Sequence, residues 1–169
     1  MPARFVIVVF ASLVLAAAHA QQQVAPKPDM SCAYFSPDPK DINGPPIRFT
    51  ADISADEESA VTESPGSGRV HFVLDRATLK FDWTVHFKDL TSAPTGMHVH
   101  GPQTPGGEAG ILFDLTPANA VKDGATGSIN LNDGQLIYLI NDRMYVNLHT
   151  TKYSAGELRG SIRKLRPKC

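Results

Sequence analysis

Only two cysteines occur among the 169 residues, Cys32 and Cys169. There is no Cys-x-x-Cys pair, which excludes a dithiol redox centre and a thiolate zinc site. A glycine-rich phosphate loop and a Gly-x-Ser-x-Gly elbow are also missing, and with them the marks of a nucleotide-binding enzyme or an α/β-hydrolase. Thr150, Thr151 and Ser154 lie near His149 but make no triad signature, and the carboxylates are scattered through loops with no close pair on one strand. Neither charge sign dominates, with 16 Lys+Arg against 17 Asp+Glu. That balance offers no basic face to nucleic acid or to an anionic membrane. Beyond residue 20 no apolar run approaches the roughly 20 residues a membrane-spanning helix needs.

The one long apolar stretch is at the start. Arg4 precedes the almost wholly apolar stretch Phe5 to Ala18, and Ala18-His19-Ala20 forms a small-x-small site. This reads as a secretory signal over residues 1–20, cut before Gln21, and it places the mature chain outside the cell or in the periplasm. Cleavage removes His19 from any metal argument. It also removes one cation, Arg4, so 15 of the 16 Lys+Arg remain against 17 Asp+Glu, a net charge of −2. In an exported chain, Cys32 and Cys169 are expected to pair. The closed loop would exceed a hundred residues and contribute on the order of 4–5 kcal/mol on the chain-entropy model.

Residues 21–46 are polar and proline-rich (Pro26, Pro28, Pro37, Pro39, Pro45, Pro46) and read as an extended lead-in. From Ile47 to Cys169 the chain changes to short apolar alternations separated by Gly, Asp, Asn and Pro, the pattern of an antiparallel β-sandwich or barrel. Ile47, Phe49, Ala51 and Ile53 alternate, as do Val70, Phe72 and Leu74, and then Leu79, Phe81, Trp83, Val85 and Phe87. A two-residue turn at Arg76-Ala77 would set Val70 against Trp83, Phe72 against Phe81 and His71 against Asp82. Further strands are expected at Met97–His100, Ala109–Leu115, Thr126–Leu131, around Met144–Leu148 and at Leu158–Lys164. Asn132 can cap a short helix to about Ile140, with Leu136, Ile137 and Ile140 at helical spacing.

The histidines carry the chemistry. In Gly96-Met97-His98-Val99-His100-Gly101 the two histidines are two apart, so both point to one face of a strand, roughly 6–7 Å apart along it. Tyr145-Val146-Asn147-Leu148-His149 offers a third on the face opposite Met144, Val146 and Leu148. Three imidazoles from two strands make a nitrogen-rich site suited to copper, with zinc as the alternative, and leave an open position. Tyr145, Asn147, Thr150 and Arg159 are candidates to surround it. Alternation turns Met97 away from His98 and into the core. His71 and His86 fall on an outward face as solvated or carboxylate-paired residues. Arg159 reads first as an outward strand residue paired with Glu157, and second as a cation near the histidines.

Phe49-Thr50-Ala51-Asp52-Ile53-Ser54, Gly68-Arg69-Val70-His71-Phe72-Val73-Leu74-Asp75, Met97-His98-Val99-His100-Gly101-Pro102, Tyr145-Val146-Asn147-Leu148-His149-Thr150 and Gly156-Glu157-Leu158-Arg159-Gly160 resemble, in order, the successive blocks of the chordin-domain (CHRD) family. The resemblance spans about Ile47 to Arg163 and implies an exported all-β domain. A more distant resemblance, in Asp89-Leu90 and Gly96 to His100, is to copper/zinc superoxide dismutase. It implies a Greek-key β-sandwich or barrel of about eight strands with one short helix, and copper on His98, His100 and His149. Residues 101–115 contain no histidine, and only Glu108 and Asp114 there could ligate, so the zinc site and the bridging histidine of that enzyme have no counterpart. The expectation is one exported domain that binds copper for sequestration, delivery or presentation. The rivals are a metal-free module that binds another exported protein, and a minimal dismutase.

Overall fold

The computed structural model describes residues 42–104, 107–116 and 121–165. The expected signal segment, most of the proline-rich lead-in, and Cys32 and Cys169 of the expected disulfide lie outside the described residues. Nine strands and one helix follow in order: β1 (Ile47–Ser54), β2 (Ser67–Leu74), β3 (Lys80–Lys88), β4 (Pro94–His100), β5 (Ile111–Asp114), β6 (Thr126–Asn130), α1 (Asp133–Ile140), β7 (Tyr145–Thr150), β8 (Leu158–Ser161) and β9 (Arg163–Lys164). All strand pairs are antiparallel, and they join into one continuous sheet in the order β5-β4-β7-β8-β1-β2-β3-β6, with β9 added beside β1. The sheet curls into a half-barrel, so the all-β expectation holds, realised as one sheet folded over its own core.

Alternation decides which side is inside. Along β1 the even exchange of Ile47, Phe49, Ala51 and Ile53 with polar residues puts the four apolar side chains at 2% exposure or less. Val70, Phe72 and Leu74 on β2, Phe81, Trp83 and Val85 on β3, and Met97 and Val99 on β4 enter the same core. Each large side chain buried this way contributes about 1.5–3 kcal/mol. Phe72 and Phe81 stack at 4.8 Å between centroids, and Phe81 meets Phe113 edge-on at 6.5 Å. Trp83 Nε1–H donates to the carbonyl of Leu115 at 2.7 Å, which ties β3 to the segment after β5 across the interior. That bond and the Phe81–Phe113 contact hold the two ends of the sheet together.

The β2–β3 connection differs from the sequence expectation. Val70 faces Val85, Phe72 faces Trp83 and His71 faces Thr84, a slip of two residues from the tight turn. The Asp75 carboxylate accepts from Thr78 N–H and Oγ1–H, both at 2.8 Å, and Leu79 takes a left-handed φ of 56°. These widen the turn so that Asp75 N–H reaches the carbonyl of Lys80. A slip of two preserves the faces, because side chains alternate with period two. Helix α1 begins as expected, with Asn132 and Gln135 forming a reciprocal capping box. Its buried residue is Leu139, whereas Ile137 is 54% and Ile140 39% exposed, so the face chosen from Leu136, Ile137 and Ile140 is rotated. Met97 is fully buried, as alternation requires.

Candidate metal centre

Strands β4 and β7 are neighbours, with Gly96 opposite His149 and His98 opposite Asn147. His98 and His100 leave one face of β4, and Tyr145, Asn147 and His149 leave the matching face of β7. A side chain at position 96 would crowd the histidines. A Cβ there would sit 3.1 Å from both Cε1 and Nε2 of His98 and 3.9 Å from Cδ2 of His149. The space left by the missing side chain lets the two rings approach to 4.8 Å between centroids, with His98–His100 at 5.8 Å and His100–His149 at 6.3 Å. One ligand atom from each of the three residues lies within 4.8 Å of the other two.

Hydrogen bonding decides which nitrogen each ring offers. His100 Nδ1 lies 2.9 Å from the carbonyl of Ala109, and His149 Nδ1 lies 3.0 Å from the carbonyl of Ser154. A carbonyl only accepts, so each Nδ1 bears the proton and each Nε2 keeps its lone pair. Those two Nε2 atoms are buried and have no hydrogen-bond partner. On His98 the buried atom without a partner is Nδ1, while Nε2 lies 3.6 Å from Asp114 Oδ1. A buried acceptor left unpaired costs about 1–3 kcal/mol, and here each of three adjoining rings leaves one. Burial, reinforced by the neighbouring His98, holds both His100 and His149 below the ordinary imidazole value of 6.5. The two rings are therefore neutral at pH 7, the form that binds a metal ion.

The surroundings correct the first reading of Arg159. The outward face of β7 is covered: Tyr145 is 2% and Asn147 6% exposed. Ala109 N–H donates to the Tyr145 hydroxyl at 3.1 Å, which holds the backbone at Ala109 against the strand. Tyr145 stacks on His100 at 4.9 Å, and the Arg159 guanidinium lies 3.8 Å from the Tyr145 ring centroid. Arg159 also donates to the carbonyl of Gly107 at 2.7 Å. It is buried beside the histidine cluster and does not pair with Glu157, contrary to the first reading of the sequence. Glu157 is fully buried, and its carboxylate accepts from Ser64, from both the amide and hydroxyl of Thr91, and from Thr150. Thr150 thus bonds into the Glu157 network.

Sequence reasoning passed over Glu58. It follows the 3-10 turn at Ala55–Glu57, and burial pushes its carboxyl up to about 7 against the pull of Arg159. Glu58 Oε1 and Asn147 Oδ1 are both buried without partners, and each lies 2.5 Å from where a Cβ on Gly156 would be. Gly156 has a φ of 145°, which together with that crowding demands glycine. Nothing in the acid-rich run Asp56-Glu57-Glu58 singles out the third residue. His71 and His86 are exposed, and His86 Nδ1 lies 3.2 Å from Asp123 Oδ1, as a carboxylate-paired surface histidine would.

No helix among the described residues is long and apolar enough to cross a membrane. Comparison with curated proteins finds no match. The family profile of the CHRD domain, in contrast, matches residues 49–162, from the third residue of β1 to the residue after β8. The match takes in all three histidines, and the chain belongs to the CHRD-domain family.

Proposed function

We propose that this domain binds one copper ion between Nδ1 of His98, Nε2 of His100 and Nε2 of His149, and holds it for sequestration, delivery or presentation rather than for catalysis. The observation that carries this reading is the convergence of three imidazoles, each with one buried nitrogen that lacks a partner. Bonds of about 2.0–2.1 Å to one ion place its ligands about 3.3–3.6 Å apart. The rings therefore draw together by about 1 Å on loading. Neutral imidazoles suit copper and zinc, and Cu(II) outcompetes the other first-row divalent ions at comparable sites. The chain is exported through residues 1–20 and acts in the periplasm or outside the cell, with Cys32 and Cys169 joined.

Titration of the purified mature protein with copper and with zinc tests the reading. The expected result is saturation near one copper per chain, with zinc weaker. His98→Ala and His149→Ala should each weaken binding by more than about a hundredfold, beyond the 10–100-fold typical of groups that only support a ligand. Titration without saturation would leave the metal-free exported binding module as the surviving reading. The copper-loaded protein is expected to show no superoxide dismutation above that of the unloaded protein, since residues 101–115 supply no bridging histidine.

A further inference from the structure

Two of the three candidate ligand rings are fixed by the main chain, and the third is not. His100 and His149 donate to the carbonyls of Ala109 and Ser154, so any residue at those positions would supply the same acceptor. His98 faces a side chain instead. Asp114 is its direct partner across the β4–β5 ladder, and Asp114 Oδ1 lies 3.6 Å from His98 Nε2. Register, rather than a chance surface rotamer, puts the carboxylate there. Among the described residues no other carboxylate lies within ion-pair distance of the three rings.

From this we infer that Asp114 is the positioning residue of the centre: its carboxylate keeps the proton of His98 on Nε2 and so presents Nδ1 to the ion. The inference rests on the proposed metal site and adds the control of its least constrained ligand. The physical need is specific. A neutral imidazole carries one proton on either nitrogen, and the hydrogen bond made by one nitrogen sets the state of the other. The buried nitrogen of His98 is Nδ1, which is useful to a metal only as the lone-pair form. At 3.6 Å the carboxylate attracts the Nε2–H without a full hydrogen bond. A cation on Nδ1 withdraws electrons from the ring, makes Nε2–H a stronger donor and shortens that contact. Charge works in the same direction. A divalent ion on three neutral rings adds two positive charges beside Arg159, and Asp114 is an anion that offsets them, together with Glu108, whose charge acts on His100. Neither main-chain acceptor carries a charge, so among the groups that fix the three rings only Asp114 offsets the ion.

Asp114 is 69% exposed at its side chain and sits on the edge strand, so replacing it leaves the core intact. Nitrogen-15 NMR of the metal-free protein should show His98 as the Nε2–H tautomer in the wild type. Asp114→Ala should convert it to a mixture or to the Nδ1–H form, with the tautomers of His100 and His149 unchanged. Copper affinity should fall 10–100-fold in Asp114→Ala, and Asp114→Glu should restore most of it. An unchanged His98 tautomer in Asp114→Ala overturns the inference, even if affinity falls, because the carboxylate would then act only as distant charge. If the wild type binds no copper, the proposed function fails, while the NMR comparison still decides the role of Asp114.

Discussion

At the scale of the residue, Glu157 shows how a carboxylate can be buried without a cation. Burial alone would raise its affinity for protons, but hydrogen bonds from Ser64, Thr150 and Thr91 outweigh it and hold the group below the ordinary carboxylate value. Glu157→Ala leaves those donors unpaired and should cost about 3–5 kcal/mol, read as a shift in the urea midpoint. Glu58 is the opposite case. Its folded-state value, about 7, lies above the ordinary 4.5, so the folded chain binds the proton more tightly than the unfolded chain. Stability is therefore lost as pH rises from 4.5 through 7. Glu58→Gln should melt higher than the wild type at pH 8, by no more than about 3 °C given partial solvation. The two proteins should converge near pH 4. The sequence reading that paired Glu157 with Arg159 had nothing to fix the direction of Glu157, which precedes the strand expected at Leu158–Lys164. Strand β8 starts only at Leu158, after the left-handed Gly156, so alternation does not reach Glu157.

At the scale of the element, the strands and the helix were readable because burial of one face imposes a period on the side chains. The histidine pair on β4 and the histidine on β7 follow from that period alone. Register is a different matter, since it depends on turn geometry. The Asp75–Thr78 bonds and the left-handed Leu79 moved the β2–β3 pairing by two residues without changing a single face. The partnership of β4 with β7, which brings His149 to His98, joins segments separated by some fifty residues, and no local pattern encodes it. The shared chemistry of the three histidines and the distant resemblance to copper/zinc superoxide dismutase supplied that expectation. Helix α1 offers a direct test of local coding. Asn132→Ala removes the acceptor for Gln135 N–H and should destabilise the domain by about 0.5–2 kcal/mol. Asn132→Asp should leave the melting temperature nearly unchanged. Copper binding should be unaltered in both, because α1 supplies no ligand.

At the scale of the whole molecule, the proposed metal site links fold and pH. His100 and His149 take up protons less readily in the folded chain than their ordinary value of 6.5 implies. The unfolded chain thus gains protons first as pH falls below 6.5, and the stability held at higher pH is lost as pH falls through the folded values. Protons also compete directly for the ring nitrogens. The loaded protein should therefore be stable at pH 7.5 and release copper on acidification below 6.5, as followed by dialysis and elemental analysis. At a free copper concentration one hundred times the dissociation constant, loading should add about 2.7 kcal/mol to the unfolding free energy. The gain should vanish in His149→Ala.

The two main-chain anchors at Ala109 and Ser154 have a bearing on how such a domain can diverge. Almost any residue at either position furnishes an equivalent carbonyl, so point substitutions there leave the imidazoles aimed as before. Insertion or deletion of a single residue in either connection is a different event, because it displaces the acceptor itself. Descendants of this chain can change the spelling of these two loops freely, but their length is the inherited constraint.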